Sequence, residues 1–113
     1  MAAYEVLKLD NQGQRWKIHF KDENHWLLGV WIPEFNSREE VDYLEKHSYP
    51  ELFLLLKGRI VLLVSEDGKN IEELELKAGE PVIVYGWHNG YKIGDGEALI
   101  VEFDGNTTEF IKI

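Results

Sequence analysis

Glycine-containing turn signals recur down the second half of the chain: Lys57-Gly58, Asp67-Gly68, Ala78-Gly79, Asn89-Gly90, Asp95-Gly96 and Asp104-Gly105. Most stand about ten residues apart, an interval that fits short strands joined by tight turns and is too short for strands alternating with helices. The segments between and after them, 51–57, 59–65, 71–76, 81–85, 98–103 and 108–113, are rich in Val, Ile, Leu and aromatics and have strand length. Upstream, Trp16, Ile18 and Phe20 alternate with Arg15, Lys17 and His19, the period-two pattern of a half-buried strand. Asp22-Glu23-Asn24 then makes a polar turn into a returning strand at 26–32. One segment breaks the pattern. Ser37-Arg38-Glu39-Glu40 has the form of a capping box, and Val41, Leu44 and Glu45 follow at helical spacing, which predicts a short helix or turn over 38–46. The chain is therefore expected to be all-β, a barrel or two-sheet jelly roll with at most one or two short helices.

Leu52 to Leu56 and Ile60 to Val64 are apolar on both alternating faces, so both faces of these strands need cover. A barrel interior covers one face. A central place in a sandwich or a second subunit covers the other, and a homodimer is expected on that ground. With 113 residues and no linker, the chain reads as one domain over 1–113. It has no cysteine, which excludes disulfides, thiolate metal sites and a cysteine nucleophile, and suits a reducing, cytoplasmic compartment. The formal net charge of −9 would be repelled by nucleic-acid phosphates, so no nucleic-acid partner is expected. No apolar run approaches the ~20 residues of a membrane span, and the start Met-Ala-Ala-Tyr-Glu lacks the basic and apolar parts of a signal peptide; no membrane partner is expected either.

No Gly-x-Gly-x-x-Gly and no Gly-Lys-Ser/Thr occurs, so no nucleotide cofactor is expected. Ser37, Ser48 and Ser65 are the only serines and none sits in a Gly-x-Ser-x-Gly elbow. The most suggestive run is Glu45-Lys46-His47-Ser48-Tyr49-Pro50-Glu51, which leads into an apolar strand reaching Gly58. His47, three residues, Glu51, six residues and Gly58 resemble the later part of the first motif of the cupin superfamily, the double-stranded β-helix barrels, with Glu45 in the place of the first histidine and Glu39 in that of a leading glycine. Gly79-Glu80-Pro81-Val82-Ile83-Val84-Tyr85-Gly86-Trp87-His88 is more loosely similar to the second motif: Tyr85 stands where the family has Pro, His88 arrives two residues early, and Lys92 replaces the terminal Asn.

The resemblance implies a cupin-like jelly-roll barrel. It also implies a metal set of His47, Glu51 and His88, with Glu45 as a fourth ligand unless helical geometry at 38–46 turns it away. Such nitrogen and oxygen donors suit Fe, Mn, Ni or Zn. The barrel would hold a small organic ligand as a metal-dependent enzyme of the dioxygenase or isomerase type. A sugar- or small-molecule-binding module without metal, and a metal-free sugar isomerase or epimerase using His47 or His88 as base, are the alternatives. Read without a ligand, the same residues are a solvated loop histidine, an ion-paired Glu51 and a turn-capping His88. Trp31, Tyr49, Phe53, Tyr85 and Trp87 are the aromatics expected at the ligand pocket, with Trp16 and Trp26 lining or rimming the barrel. His19 and His25 are expected to be solvated.

Overall fold

In the computed structural model, which describes residues 2–113, the period-two segments pair into one curled, antiparallel, eight-stranded sheet. Its strands are β1 (Trp16–Asp22), β2 (Trp26–Trp31), β3 (Tyr43–His47), β4 (Glu51–Ser65), β5 (Glu72–Glu75), β6 (Val82–Val84), β7 (Trp87–Phe103) and β8 (Thr108–Lys112). The hydrogen-bonded order is β1-β2-β7-β3-β8, and β4 pairs with β5, β6 and β7. The all-β expectation holds: the one helical element among the described residues is a 3-10 turn at Arg38–Glu40. No helix among them is long and apolar enough to cross a membrane.

The long strands β4 and β7 form the spine of the sheet, antiparallel from Leu52↔Val101 to Ser65↔Trp87. Lys57-Gly58, Asn89-Gly90 and Asp95-Gly96, expected to be turns, lie inside these two strands instead. The reason is close backbone approach. Gly58, at φ +72°, faces Gly96 where the register shifts, and a Cβ there would stand 2.0 Å from the Asp95 carbonyl oxygen. The two strands therefore bend together at this point rather than reverse. Asp67-Gly68, Ala78-Gly79 and Asp104-Gly105 do fall between strands.

The helical spacing at 38–46 is also corrected. Past the 3-10 turn, Tyr43 to His47 extend and pair with β8 from Tyr43↔Lys112 to His47↔Thr108. Val41 and Leu44 are both buried, but as neighbours in extended chain. A separation of three suits either geometry over so short a segment, and the ladder decides. The predicted cap does not form either: Ser37 makes no side-chain capping bond, and Glu40 Oε1 accepts from the backbone N–H of Asn36, one residue earlier, at 2.7 Å.

Two apolar clusters fill the structure. Phe53, Ile60, Leu62, Leu76, Val84, Ala98 and Ile100 form one, and Val41, Leu44 and Leu63 form the other, flanked by Phe35, Ile71, Trp87, Tyr91 and Ile111. The half of β4 from Ile60 onward is thus covered on both faces within one chain. In its first half Phe53 and Leu55 pack inward, whereas Leu52 and Leu54 are half-buried and Leu56 is 42% exposed. Only this first half leaves an apolar face uncovered.

The bend generates a prediction. Gly94 (φ +69°) has nothing within 4 Å of an added Cβ, so Gly94→Ala meets backbone strain alone and should cost ~1–2 kcal/mol. Gly58→Ala meets similar strain plus the Asp95 carbonyl and should cost ~1 kcal/mol or more beyond that. Urea unfolding of the two variants measures the difference; equal losses would show that the close approach at Gly58 does not set the bend.

Candidate metal centre

Alternation along β3 puts Tyr43, Glu45 and His47 on one face, and the Glu45↔His88 pairing brings β7 beside them. Glu51 opens β4, four residues after His47, across a loop tied to the connection between β7 and β8. Asn106 Oδ1 accepts from the Tyr49 backbone N–H at 2.9 Å and from Ser48 Oγ at 3.1 Å. Glu102 comes from the far end of β7. Leu52 pairs with Val101, so Glu51 and Glu102 are one residue removed from that rung on opposite strands.

His88 and Glu102 lie fourteen residues apart on one strand, a span of roughly 46 Å in a straight ladder. Both meet the Glu51 carboxylate. Glu51 Oε1 stands 2.9 Å from His88 Nε2 and 3.2 Å from His47 Nε2, and Glu45 Oε1 lies 3.5 and 3.7 Å from the same two nitrogens. Donor atoms of His47, Glu51 and Glu102 lie within 4.8 Å of one another. The outer ring nitrogens are occupied: His88 Nδ1 donates to the Gly86 carbonyl at 3.0 Å, and His47 Nδ1 is 2.9 Å from Thr108 Oγ1. In the neutral His88 ring this leaves the Nε2 lone pair facing the carboxylate, the arrangement by which outer hydrogen bonds orient metal-binding imidazoles.

The donor set fits a divalent ion. Glu51 is 4% exposed, and its Oε1 has no hydrogen bond aligned on it despite the two nitrogens close by. An unpartnered buried carboxylate oxygen is costly unless a cation satisfies it. Ligands at ~2.0–2.2 Å from one ion stand about 3.0 Å apart at right angles and about 3.4 Å apart at tetrahedral angles. The 2.9–3.7 Å separations here match that spacing.

The charges are strongly coupled. Burial alone would push the Glu51 carboxyl up, but the hydrogen-bonding groups of His88 and Glu102 and the charges of His88 and His47 hold it below its ordinary value. Burial likewise pulls His88 down, and the Glu51 carboxylate outweighs it and keeps the imidazole above its usual range. Glu102 is pushed up to about 9, first by burial and then by Glu51 beside it. Sequence reading passed over Glu102, although a clue was present: it continues the face of Ala98 and Ile100, a carboxylate at the end of an otherwise apolar alternation.

The group opens into a cavity of about 440 Å³. Trp31 and Phe53 line it, with ring centroids 5.8 Å apart, and Trp16 joins them, its indole lying over Gly29, where a Cβ would stand 2.2 Å away. Tyr49, Tyr85 and Trp87 do not line it. Tyr49 projects from the loop onto Phe103, at 4.7 Å between centroids; Tyr85 is 73% exposed because alternation after buried Val84 turns it outward; Trp87 packs in the second apolar cluster. Trp26 packs on Phe20 at 5.1 Å, outside the lining. His25 is exposed as expected, but His19 is half-buried, its Nε2 2.8 Å from Asn11 Oδ1.

In the metal-free protein Glu102 stays protonated when folded up to about 9 and ionises near 4.5 when unfolded. The unfolded state then binds fewer protons between those values, so stability falls as pH rises through the window, and the raised His88 adds to the fall above its unfolded value near 6.5. Glu102→Gln should flatten the melting temperature against pH above about 4.5 and raise it at pH 8, leaving the share due to His88. An unchanged pH slope would mean Glu102 is ionised in the folded protein.

No family model matches the chain, and no curated protein is similar to it. Solved structures are. A hydroxypropylphosphonic acid epoxidase from S. wedmorenis, in complex with fosfomycin, superposes with a TM-score of 0.67 at 17% identity over 78% of this chain and 50% of that one. Fe(II)-HppE with the alternative substrate (S)-1-HPP gives 0.66 at 14% identity over 87% of this chain and 55% of that one. The chain thus spans about half the length of these epoxidases. A cupin-2 domain containing protein from Shewanella frigidimarina gives 0.60 at 17% identity, covering 80% of this chain and 83% of that one. The fold of the chain is cupin-like.

Proposed function

We propose that this cupin-like domain is a divalent-metal site for a small organic ligand, with His47, Glu51 and His88 holding the ion and Glu45 completing the set. The observation that carries the reading is the buried Glu51 Oε1, unpartnered yet 2.9 and 3.2 Å from two imidazole nitrogens. Two nitrogen and one or two oxygen donors suit Fe(II), Mn, Ni or Zn, and similarity to an Fe(II)-bound structure supports iron as the first to try. A bound ion with open positions supplies a Lewis acid at the inner end of the cavity, which favours a dioxygenase or isomerase type of reaction. The protein's own side chains do the rest: Thr108 and Gly86 fix the two imidazoles, and Trp16, Trp31 and Phe53 shape an apolar wall for the ligand.

A second reading has its own support. In a metal-free sugar isomerase or epimerase the histidine base requires an orienting acid, and Glu51 at 3.2 Å from His47 Nε2 supplies one; His47, whose Nδ1 meets only the Thr108 hydroxyl, suits the role better than His88, whose Nδ1 is held by the Gly86 carbonyl. Metal uptake separates the two. Protein purified without an affinity tag and stripped with chelator should take up one Mn, Fe, Ni or Zn ion with micromolar affinity and melt higher when loaded, by about 2.7 kcal/mol at a hundredfold excess over Kd. His47→Ala should lose the uptake and also lower metal-free stability, because the His47 side chain is only 11% exposed and is one of the two imidazoles beside the buried Glu51 carboxylate, so a calorimetric melt of the variant must show it folded. Absence of uptake by the unmodified protein would leave the metal-free base standing.

The uncovered apolar face supports a homodimer. Leu28, Val101, Leu52 and Ile83 form one row across β2, β7, β4 and β6, and Ile83 is 46% exposed. Sedimentation equilibrium should give a dimer, and Ile83→Lys should give a monomer of unchanged fold; a native monomer at all concentrations would remove this assignment.

A further inference from the structure

The segment ahead of β1 is unlike the rest of the chain. Residues 4–10 form neither helix, turn nor strand, and residues 3–7 take part in no hydrogen bond among the described residues. Tyr4 and Val6 are 79% and 77% exposed. When such a segment extends, period two puts these two side chains on one side and Glu5 and Leu7 on the other. Open backbone with apolar side chains is a strand that lacks a ladder. Joining a sheet edge gives it hydrogen bonds and apolar cover together. Its far end is fixed, because Asn11 Nδ2 donates to the carbonyls of Gln14 at 3.0 Å and Val30 at 2.9 Å, holding the segment at the β1 edge.

Four strands, β1, β5, β6 and β8, are paired on one side only among the described residues. The segment leaves from β1. Glu72, Glu73 and Glu75 on β5 would oppose Glu5, and β8 belongs to the half of the sheet built on β3, away from the uncovered apolar row. That row crosses the strands in the order β1-β2-β7-β4-β6, as Phe20, Leu28, Val101, Leu52 and Ile83, beside a groove of about 330 Å³ that Trp26 and Phe103 also line. At its end Ile83 and Tyr85, 46% and 73% exposed, repeat the period-two apolar pair of Tyr4 and Val6. The chain's own β6 lies four strand spacings from β1, about 19 Å, so the segment would spend its length crossing the sheet instead of lying along a strand. A second copy removes this obstacle: two such faces packed about a two-fold axis parallel to the strands set each β1 edge over the partner's β6 edge.

We infer that residues 3–7 pair with the free edge of β6 in a second copy, reciprocally, with Tyr4 and Val6 beside Ile83 and Tyr85 of that copy. The inference rests on the homodimer of the proposed function and deepens it by naming the segment that joins the two copies.

Sedimentation equilibrium of the unmodified chain and of the double variant Tyr4→Asp/Val6→Asp tests the exchange. The variant should dissociate with a Kd raised at least about tenfold, and its fold by circular dichroism should be unchanged, because both side chains are exposed in the single chain. Amide hydrogen exchange of residues 3–7 should slow as protein concentration rises, since within one chain these amides have no acceptor. The chain has no cysteine, so Val6→Cys mixed with Ile83→Cys, or with Tyr85→Cys, reports the contact directly. At least one mixture should give a disulfide-linked heterodimer on oxidation, which none of these variants alone should match. A dimer of unchanged Kd in the double variant, with residues 3–7 unprotected, would overturn the inference and leave the homodimer intact. A weakened dimer with no cross-link in either mixture would overturn β6 as the acceptor edge. A native monomer at all concentrations would remove both the homodimer and the exchange.

Discussion

The curl of the β4–β7 ladder is the constraint on which the rest of the structure depends. Each strand serves both halves of the sheet, and each carries functional groups near its ends: Glu51 on β4, His88 and Glu102 on β7. In a flat ladder these ends would lie tens of ångströms apart. Close backbone approach at Gly58, Gly96 and Gly90 lets the paired strands bend together where two register shifts interrupt the ladder, between Leu55 and Lys57 and between Gly58 and Ile60. The same curl places Ile60 and Leu62 on the cluster that contains Phe53, and so one bend makes both the core and the mouth of the cavity.

Closing the sheet in this way gathers like charges in a partly apolar space, and the protein meets that cost locally. Burial opposes ionisation of Glu51 and Glu102 alike, yet only Glu51 has two imidazoles within 3.2 Å. The result is a split pair, Glu51 ionised and Glu102 protonated near neutral pH. A cation arriving at the two imidazoles therefore meets one carboxylate already charged and a second able to yield a proton. Thr108 and Gly86 hold the imidazoles from behind, which keeps the inner nitrogens aimed at the site whether or not a ligand is present.

Much of this was legible in the residues. Alternation at 16–20 and the spacing of Gly-containing turns were enough for an all-β chain, because period two and turn chemistry are local properties of the backbone, and the motif resemblance at His47, Glu51 and Gly58 implied the cupin-like type. His47 and Glu51 were paired through the motif resemblance, and the structure puts their side chains 3.2 Å apart across a short loop. Glu45 could not be placed beside them, because Val41 and Leu44 are spaced for a helix as well as for a strand, and only pairing with β8 and with His88 makes the segment extended. The structure divides the aromatics that were expected at a pocket. Trp31 and Phe53 face inward, while Tyr49 and Tyr85 sit where alternation or a loop turns them outward.

By itself, then, the sequence determined the all-β character and the acidic charge, since these follow from residue chemistry and short-range periodicity, whereas His47, Glu51 and His88 were singled out through a motif resemblance. Tertiary structure decided that Lys57-Gly58 and Asp95-Gly96 are a shared bend and not two turns, because that depends on Gly58 meeting Gly96 across the ladder. It also decided that Glu102 joins the site and that Arg15 is neutralised by Glu34. Both contacts join residues far apart in the chain, and no local pattern encodes which distant side chains a curling sheet will bring face to face.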